Sequence, residues 1–237
     1  MAEHPDVQRF RNALEGTGSD DLLTDDVVWH GAEDGADAPA ASVKEVYADG
    51  VHTIARVERS ADGRSVDQAI VFHLDGGGNV TEAWKLPTDS QVADALASGG
   101  SVPDHRNLPV FRTAEETRGR NTFEPQDTAN IEAFLREDVQ WISAWGPGPS
   151  TRDECIEQFK GFLAATGGTL HMDVFSTFAD DAHALSFVRL TADHPQYPDR
   201  HMDFKEVNLF HLDPNGQAYE FWGVQDDPEE ANSFWAP

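Results

Sequence analysis

From residue 171 to 226 the chain alternates apolar and polar side chains, interrupted by short clusters of turn-forming residues. Period-two patterning puts successive side chains on opposite faces of a strand. It predicts strands over 171–178, 182–192, 201–212 and 217–226. The segment "DPNG" (213–216) joins the last two as a hairpin turn, and "DGGGN" (75–79) does the same earlier in the chain. Upstream, the spacing becomes helical. Ile156, Phe159, Phe162 and Leu163 fall on one face of a helix over 152–165. Thr151 and Glu154 are placed to cap its start reciprocally, and Gly167 and Gly168 end it. Shorter helices are predicted over 5–15, 108–118 and 127–137, the last opening on Asp127 with Ile131, Phe134 and Leu135 along one side. Short strands are expected around Trp29 and Trp141. Helices followed by an antiparallel sheet make an α+β pattern. A long curved sheet wrapped around helices forms a cone whose mouth suits a small ligand.

The pattern occurs twice. Residues 71–97 align with 209–235 without a gap, with nine of 27 positions identical. "DDVVW" (25–29) matches "EDVQW" (137–141), "ADGVHTIARV" (48–57) matches "ADDAHALSFV" (179–188), and "FRNALE" (10–15) resembles "FRTAEE" (111–116) more weakly. The blocks keep their order and only the spacing changes, which marks an internal repeat. The expected units are 1–98 and 106–237, joined near "ASGGSVPDHRN" (97–107). Between Trp141 and His183 the second copy has 19 residues more than the first, and they include the 152–165 helix. The N-terminal copy is therefore expected to be reduced by one helix.

Composition adds exclusions. The net charge of −26 argues against nucleic acid and anionic membrane as partners, since both are bound through Lys and Arg. The acids are spread along the chain as a solvated surface. No apolar run is long enough for a membrane span, and the N-terminus has neither the basic start nor the apolar stretch of a signal peptide. A cytoplasmic location is the expectation. One cysteine, Cys155, rules out an internal disulfide and a cysteine-based zinc site. The histidines show no metal-ligand spacing backed by a carboxylate, "HMDFKE" (201–206) being the nearest approach. No phosphate loop or serine elbow is present. Neither metal nor cofactor is expected.

The order of helix, "DDVVW", glycine-terminated helix, "ADDAHAL", "FHLDPNGQAYEFW" and "DDPEEANSFW" resembles the nuclear transport factor 2-like superfamily, in its SnoaL-like branch of polyketide cyclases and ketosteroid isomerase relatives. The likeness covers both halves. It implies cone-shaped α+β barrels with a hydrophobic pocket, usually dimeric, so two fused copies would supply an intramolecular pseudo-dimer. It does not fix activity, because the fold hosts isomerases, cyclases, dehydratases, epoxide hydrolases and binding modules. The positions matching the isomerase base are Gly31 and Ser143, which take no proton. The matching acid falls near Asn208, and the helix-one tyrosine is replaced by Phe111. Arg189, Arg200 and Asp203 offer a looser parallel to the hydrolases.

Two readings follow: cofactor-free acid–base chemistry on a small, mostly apolar carbonyl compound, or a binding or scaffold module with the first copy as internal partner. SnoaL-like cyclases use a carboxylate in an apolar pocket, where burial raises its pKa. The catalytic candidates are Glu220, His211, Asp203 and Glu206, and the ligand-binding candidates are Trp141, Trp145, Trp222, Phe159 and Phe162. Strict alternation puts Glu220, Trp222 and Ala218 on the pocket side, with Tyr219 and Phe221 on an apolar outer face. Glu220 and His211 recur as Glu82 and His73, and His183 as His52. Retention in the reduced copy favours a role in the fold for these pairs. Trp145, Asp203, Glu206 and His30 differ between copies and are the better functional candidates.

Overall fold

The computed structural model describes residues 4–16, 27–30, 41–120, 124–143 and 146–235. Its contacts divide the chain into Met1–Asp104 and His105–Pro237. The first unit contains α1 (Pro5–Leu14), β1 (Val28–His30), β2 (Ala41–Ala48), β3 (His52–Ala61), β4 (Arg64–Leu74), β5 (Val80–Leu86) and α2 (Asp89–Ser98). Its sheet runs β1-β5-β4-β3-β2. The second contains α3 (Leu108–Arg118), α4 (Pro125–Phe134), β6 (Leu135–Ser143), β7 (Gly146–Pro147), α5 (Arg152–Ala165), β8 (His171–Ala179), β9 (His183–Asp193), β10 (His201–Leu212), β11 (Ala218–Gln225) and α6 (Pro228–Trp235), with sheet order β7-β6-β11-β10-β9-β8. Both units are α+β. The sheets are mixed rather than wholly antiparallel, since β1 joins β5 and β6 joins β11 in parallel. No helix among the described residues is long and apolar enough to cross a membrane.

The repeat reaches down to the register. His73 faces Glu82 and Leu74 faces Val80, while His211 faces Glu220 and Leu212 faces Ala218. In each unit one residue, Thr81 or Tyr219, is left over as a β-bulge. Lys44 in β2 and Phe175 in β8 are bulged likewise. The turns before β5 and β11 are built alike. Asp75 Oδ1 accepts from the N–H groups of Gly77 and Asn79, Asp213 Oδ1 accepts from those of Asn215 and Gln217, and Gly78 and Gly216 have φ near +80°.

One bulge overturns the strict alternation along β11. Because Tyr219 is the extra residue, Ala218 faces the same side as Phe221, and both lie in the buried core with Phe111, Phe134 and Phe210. Phe221 is 1% exposed and stacks on Phe210 at 4.5 Å, so it is not an outer-face residue. Glu220 and Trp222 lie on the opposite face.

The helices form where the spacing places them, with local differences. In α4, the helix opens on Glu124 and ends at Phe134, where Leu135 turns to extended backbone as β6 begins. Asp127 sits inside the first turn and accepts from the Glu124 N–H at 2.8 Å. In α5, Thr151 accepts from the Glu154 N–H at 3.3 Å, but the Glu154 carboxylate turns to the Ser150 N–H at 2.9 Å instead of closing the reciprocal pair. The expected loss of one helix from the first unit bears on 17–26 and 31–40, outside the described residues.

Candidate functional site in the second unit

Burial in the second unit places an apolar cavity of about 80 Å³ between the sheet, α5 and α6. Trp141, Phe159, Phe162, Leu190, Met202 and Trp235 line it together with three polar side chains, Arg118, Glu206 and Gln225. The aromatic wall is continuous: Trp141 lies 5.3 Å from Phe159 and 6.0 Å from Phe162, and Phe162 lies 5.3 Å from Trp235.

Glu206 is there because of its position on β10. Alternate residues Met202, Phe204, Glu206, Asn208 and Phe210 share the inner face, whereas Asp203 falls between them on the other side. Glu206 is 7% exposed and faces Gln225 across the β10–β11 ladder, whose Nε2 donates to its Oε2 at 2.8 Å. Burial pushes the Glu206 carboxyl above the ordinary glutamate range, and the nearby Glu115 and Asp226 charges add to this. The Gln225 hydrogen bond and the Arg118 charge pull the other way and are outweighed. Gly223 makes the space: a Cβ there would meet the Glu206 carboxyl at 3.4 Å.

Arg118 ends α3. Its Nη1 donates to Oε1 of Glu115, which is 1% exposed. Ser186 Oγ and Asn208 Nδ2 donate to the other oxygen of Glu115. The guanidinium lies over Phe159 at 4.7 Å and Phe221 at 4.9 Å. Cys155, next to this region, is buried and its thiol is pushed up to about 12 by desolvation, so it is no thiolate nucleophile.

The remaining candidates lie elsewhere. His211 and Glu220 pair with each other at 2.9 Å, and Trp222 Nε1 donates to the same Glu220 oxygen at 3.4 Å. None of the three lines the cavity. Asp203 is half exposed in a bidentate pair with Arg189, with both bonds at 2.7 Å. His30 stacks on Trp84 at 4.6 Å with its Nε2 3.4 Å from Glu82. Trp141, Phe159 and Phe162 do line the cavity; Trp145 and Gly31 lie outside the described residues. Arg118, Gln225, Gly223 and Glu115 were not singled out from sequence. The available signal for two of them was the difference between the copies.

That difference is chemical. At the same offset, Glu206, Gly223 and Gln225 become Gln68, Lys85 and Pro87, in ladders of identical register. Gln68 is fully buried, donates to Pro87 O at 2.8 Å and Asp89 Oδ1 at 3.1 Å, and accepts from Arg59 Nε at 3.0 Å. Lys85 Nζ pairs with Asp89 at 2.5 Å and lies 5.0 Å from the Trp29 ring. A buried polar cluster thus occupies in the first unit the positions that border the cavity in the second.

No family model and no curated protein matches the chain. Solved structures do match. An NTF2-like protein of unknown function from Exiguobacterium sp. 255-15 is 6% identical, with a TM-score of 0.43 over 50% of this chain and 98% of that one. An NTF2-like protein from Burkholderia thailandensis E264 is 11% identical, with a TM-score of 0.44 over 55% and 98%. A protein from Jannaschia sp. CCS1, named for the SnoaL-like polyketide cyclases, is 17% identical, with a TM-score of 0.38 over 54% and 96%. In fold the chain is similar to these NTF2-like and SnoaL-like proteins, each of which spans about half of it.

Proposed function

We propose that the second unit binds a small, mostly apolar carbonyl compound and that Glu206 transfers a proton on it without a cofactor. One observation carries this reading: a carboxyl that burial holds above its ordinary range borders an otherwise apolar cavity. An acid shifted toward neutrality is available in both protonation states, so it can take a proton from carbon and return it. Gln225 fixes one carboxyl oxygen, which orients the other toward the cavity. The aromatic wall excludes water and supplies binding by area. The cavity is smaller than the roughly 150 Å³ that admits benzene, so ring-sized compounds require Met172 or Met202, both in its lining, to move.

The first unit serves as packing partner rather than as a second site. Its cluster of Gln68, Lys85 and Asp89, the first two at positions that border the cavity in the second unit, supports that.

The test is exchange of the α-protons of cyclopentanone in D₂O, followed by proton NMR with the intact chain. Wild type is expected to accelerate the exchange and Glu206→Gln to abolish the acceleration while still binding the ketone. Equal rates with both proteins would remove Glu206 from the chemistry.

A further inference from the structure

We infer that Arg118 is the oxygen anchor of the cavity: its guanidinium donates a hydrogen bond to the carbonyl oxygen of the compound held beside Glu206. The inference rests on the reading of the cavity as a ligand site and adds the residue that orients the ligand in it.

Three observations carry it. First, the guanidinium is fixed. Nη1 is bonded to Glu115, and Glu115 is held in turn by Ser186 and Asn208, so the fork has little freedom to turn away. Second, Arg118 lines the cavity, and the bond from Nη1 to Glu115 is the one hydrogen bond its guanidinium makes among the described residues, so its Nη2 has no acceptor there. Buried donors are almost always satisfied, and an unmade bond to a charged group is costly, so each exception calls for a partner. Third, the rest of the cavity lining is mostly apolar, which leaves an oxygen on the ligand as the natural acceptor.

The charge balance narrows the ligand. Glu115 already compensates Arg118, so the oxygen need not belong to an anion; a neutral carbonyl suffices. When Glu206 removes a proton from the carbon beside that carbonyl, the electron pair of the C–H bond moves into the carbon–carbon bond and the carbonyl pair moves onto oxygen. The negative charge then develops against a preorganised cation in a water-poor site, where such stabilisation is strongest. Reprotonation by Glu206 restores both the ketone and the carboxylate.

The experiment compares cyclopentanone with methylenecyclopentane, which has nearly the same shape without the oxygen, on the intact chain. The Nε–Hε signal of Arg118 is assigned by its loss in Arg118→Lys. The ketone is expected to move that signal and to bind at least about five-fold tighter than the hydrocarbon. Arg118→Lys, which keeps a positive charge for Glu115, is expected to erase the preference for the ketone and leave hydrocarbon binding unchanged. If that variant does not fold, the two-probe comparison on wild type decides alone. Equal binding of both probes with an unmoved Nε–Hε signal would overturn the anchor while leaving the cavity a ligand site. Binding of neither probe would overturn the ligand site and the anchor with it.

Discussion

Glu206 and Gln225 face each other directly across the β10–β11 ladder, joined by a side-chain hydrogen bond of 2.8 Å, and the missing side chain of Gly223 leaves room for the carboxyl between strand and cavity. The arrangement burdens the fold. Glu206 keeps its proton to a higher pH when folded than when unfolded, so its contribution to stability is greatest below the ordinary glutamate range and is lost as pH rises through the folded value. Glu206→Gln keeps an acceptor for Gln225 and has no charge to bury. It is expected to be more stable than wild type at pH 8 by roughly 1–3 kcal/mol in urea unfolding, with the gain shrinking toward pH 4. A variant less stable than wild type at pH 8 would mean that the carboxylate is favoured by its surroundings.

Gly223→Lys copies the first unit, where Lys85 stands at the same register position against Asp89 and the Trp29 ring. The long side chain is expected to enter the cavity toward Trp141 and reduce cyclopentanone affinity at least ten-fold, with the far-ultraviolet circular dichroism unchanged. Undiminished affinity would place the ligand elsewhere.

Glu220 and Trp222 alternate with the cavity-lining Gly223 and Gln225 along β11 and so lie on the face away from the cavity. Glu220→Gln and Trp222→Ala are therefore expected to leave probe affinity within about two-fold, whereas Phe159→Ala removes part of the aromatic wall and costs about 2–4 kcal/mol of stability together with the binding. A Trp222→Ala variant that lost binding with its fold intact would restore that face to the site.

The recurring Asp–His pairs predict the opposite pH trend from Glu206. Burial alone would raise the Asp180 carboxyl, but the His183 ring 3.6 Å away and the N–H groups of Ala182 and His183 hold it below its ordinary value. Asp49 is held down in the same way by His52 and Val51. Their stabilisation is present above the ordinary aspartate range and is lost as pH falls through the folded values. Asp180→Ala and Asp49→Ala are each expected to cost roughly 1–2 kcal/mol at pH 7, less in acid. Equal losses at pH 7 and pH 3 would show that the carboxylate charge is irrelevant.

Much of the fold is legible in the residues because burial imposes period: the four long strands of the second unit, α5 and both hairpin turns lie where alternation, apolar spacing and Asp–Gly chemistry put them. The side taken by Ala218 was not legible, since a bulge shifts the period by one residue and its only mark, Tyr219, reads like any strand residue. Which face of β11 turns inward is set by packing on the helices, with Phe221 in the core. The site was half legible. Glu206 and the aromatic wall follow from differing copies and from apolar helix spacing. Arg118 and Glu115 come together with β9 and β10 only through the packing of α3 on the sheet, which no local pattern in 108–118 reports.

The most direct measurement is a carbon-detected NMR titration of the Glu206 carboxyl in the intact chain, assigned by its absence in Glu206→Gln. The account predicts ionisation above the ordinary glutamate range, with a further change when cyclopentanone is bound. A Glu206 that titrates in the ordinary range or below it, indifferent to the ketone, would contradict the account.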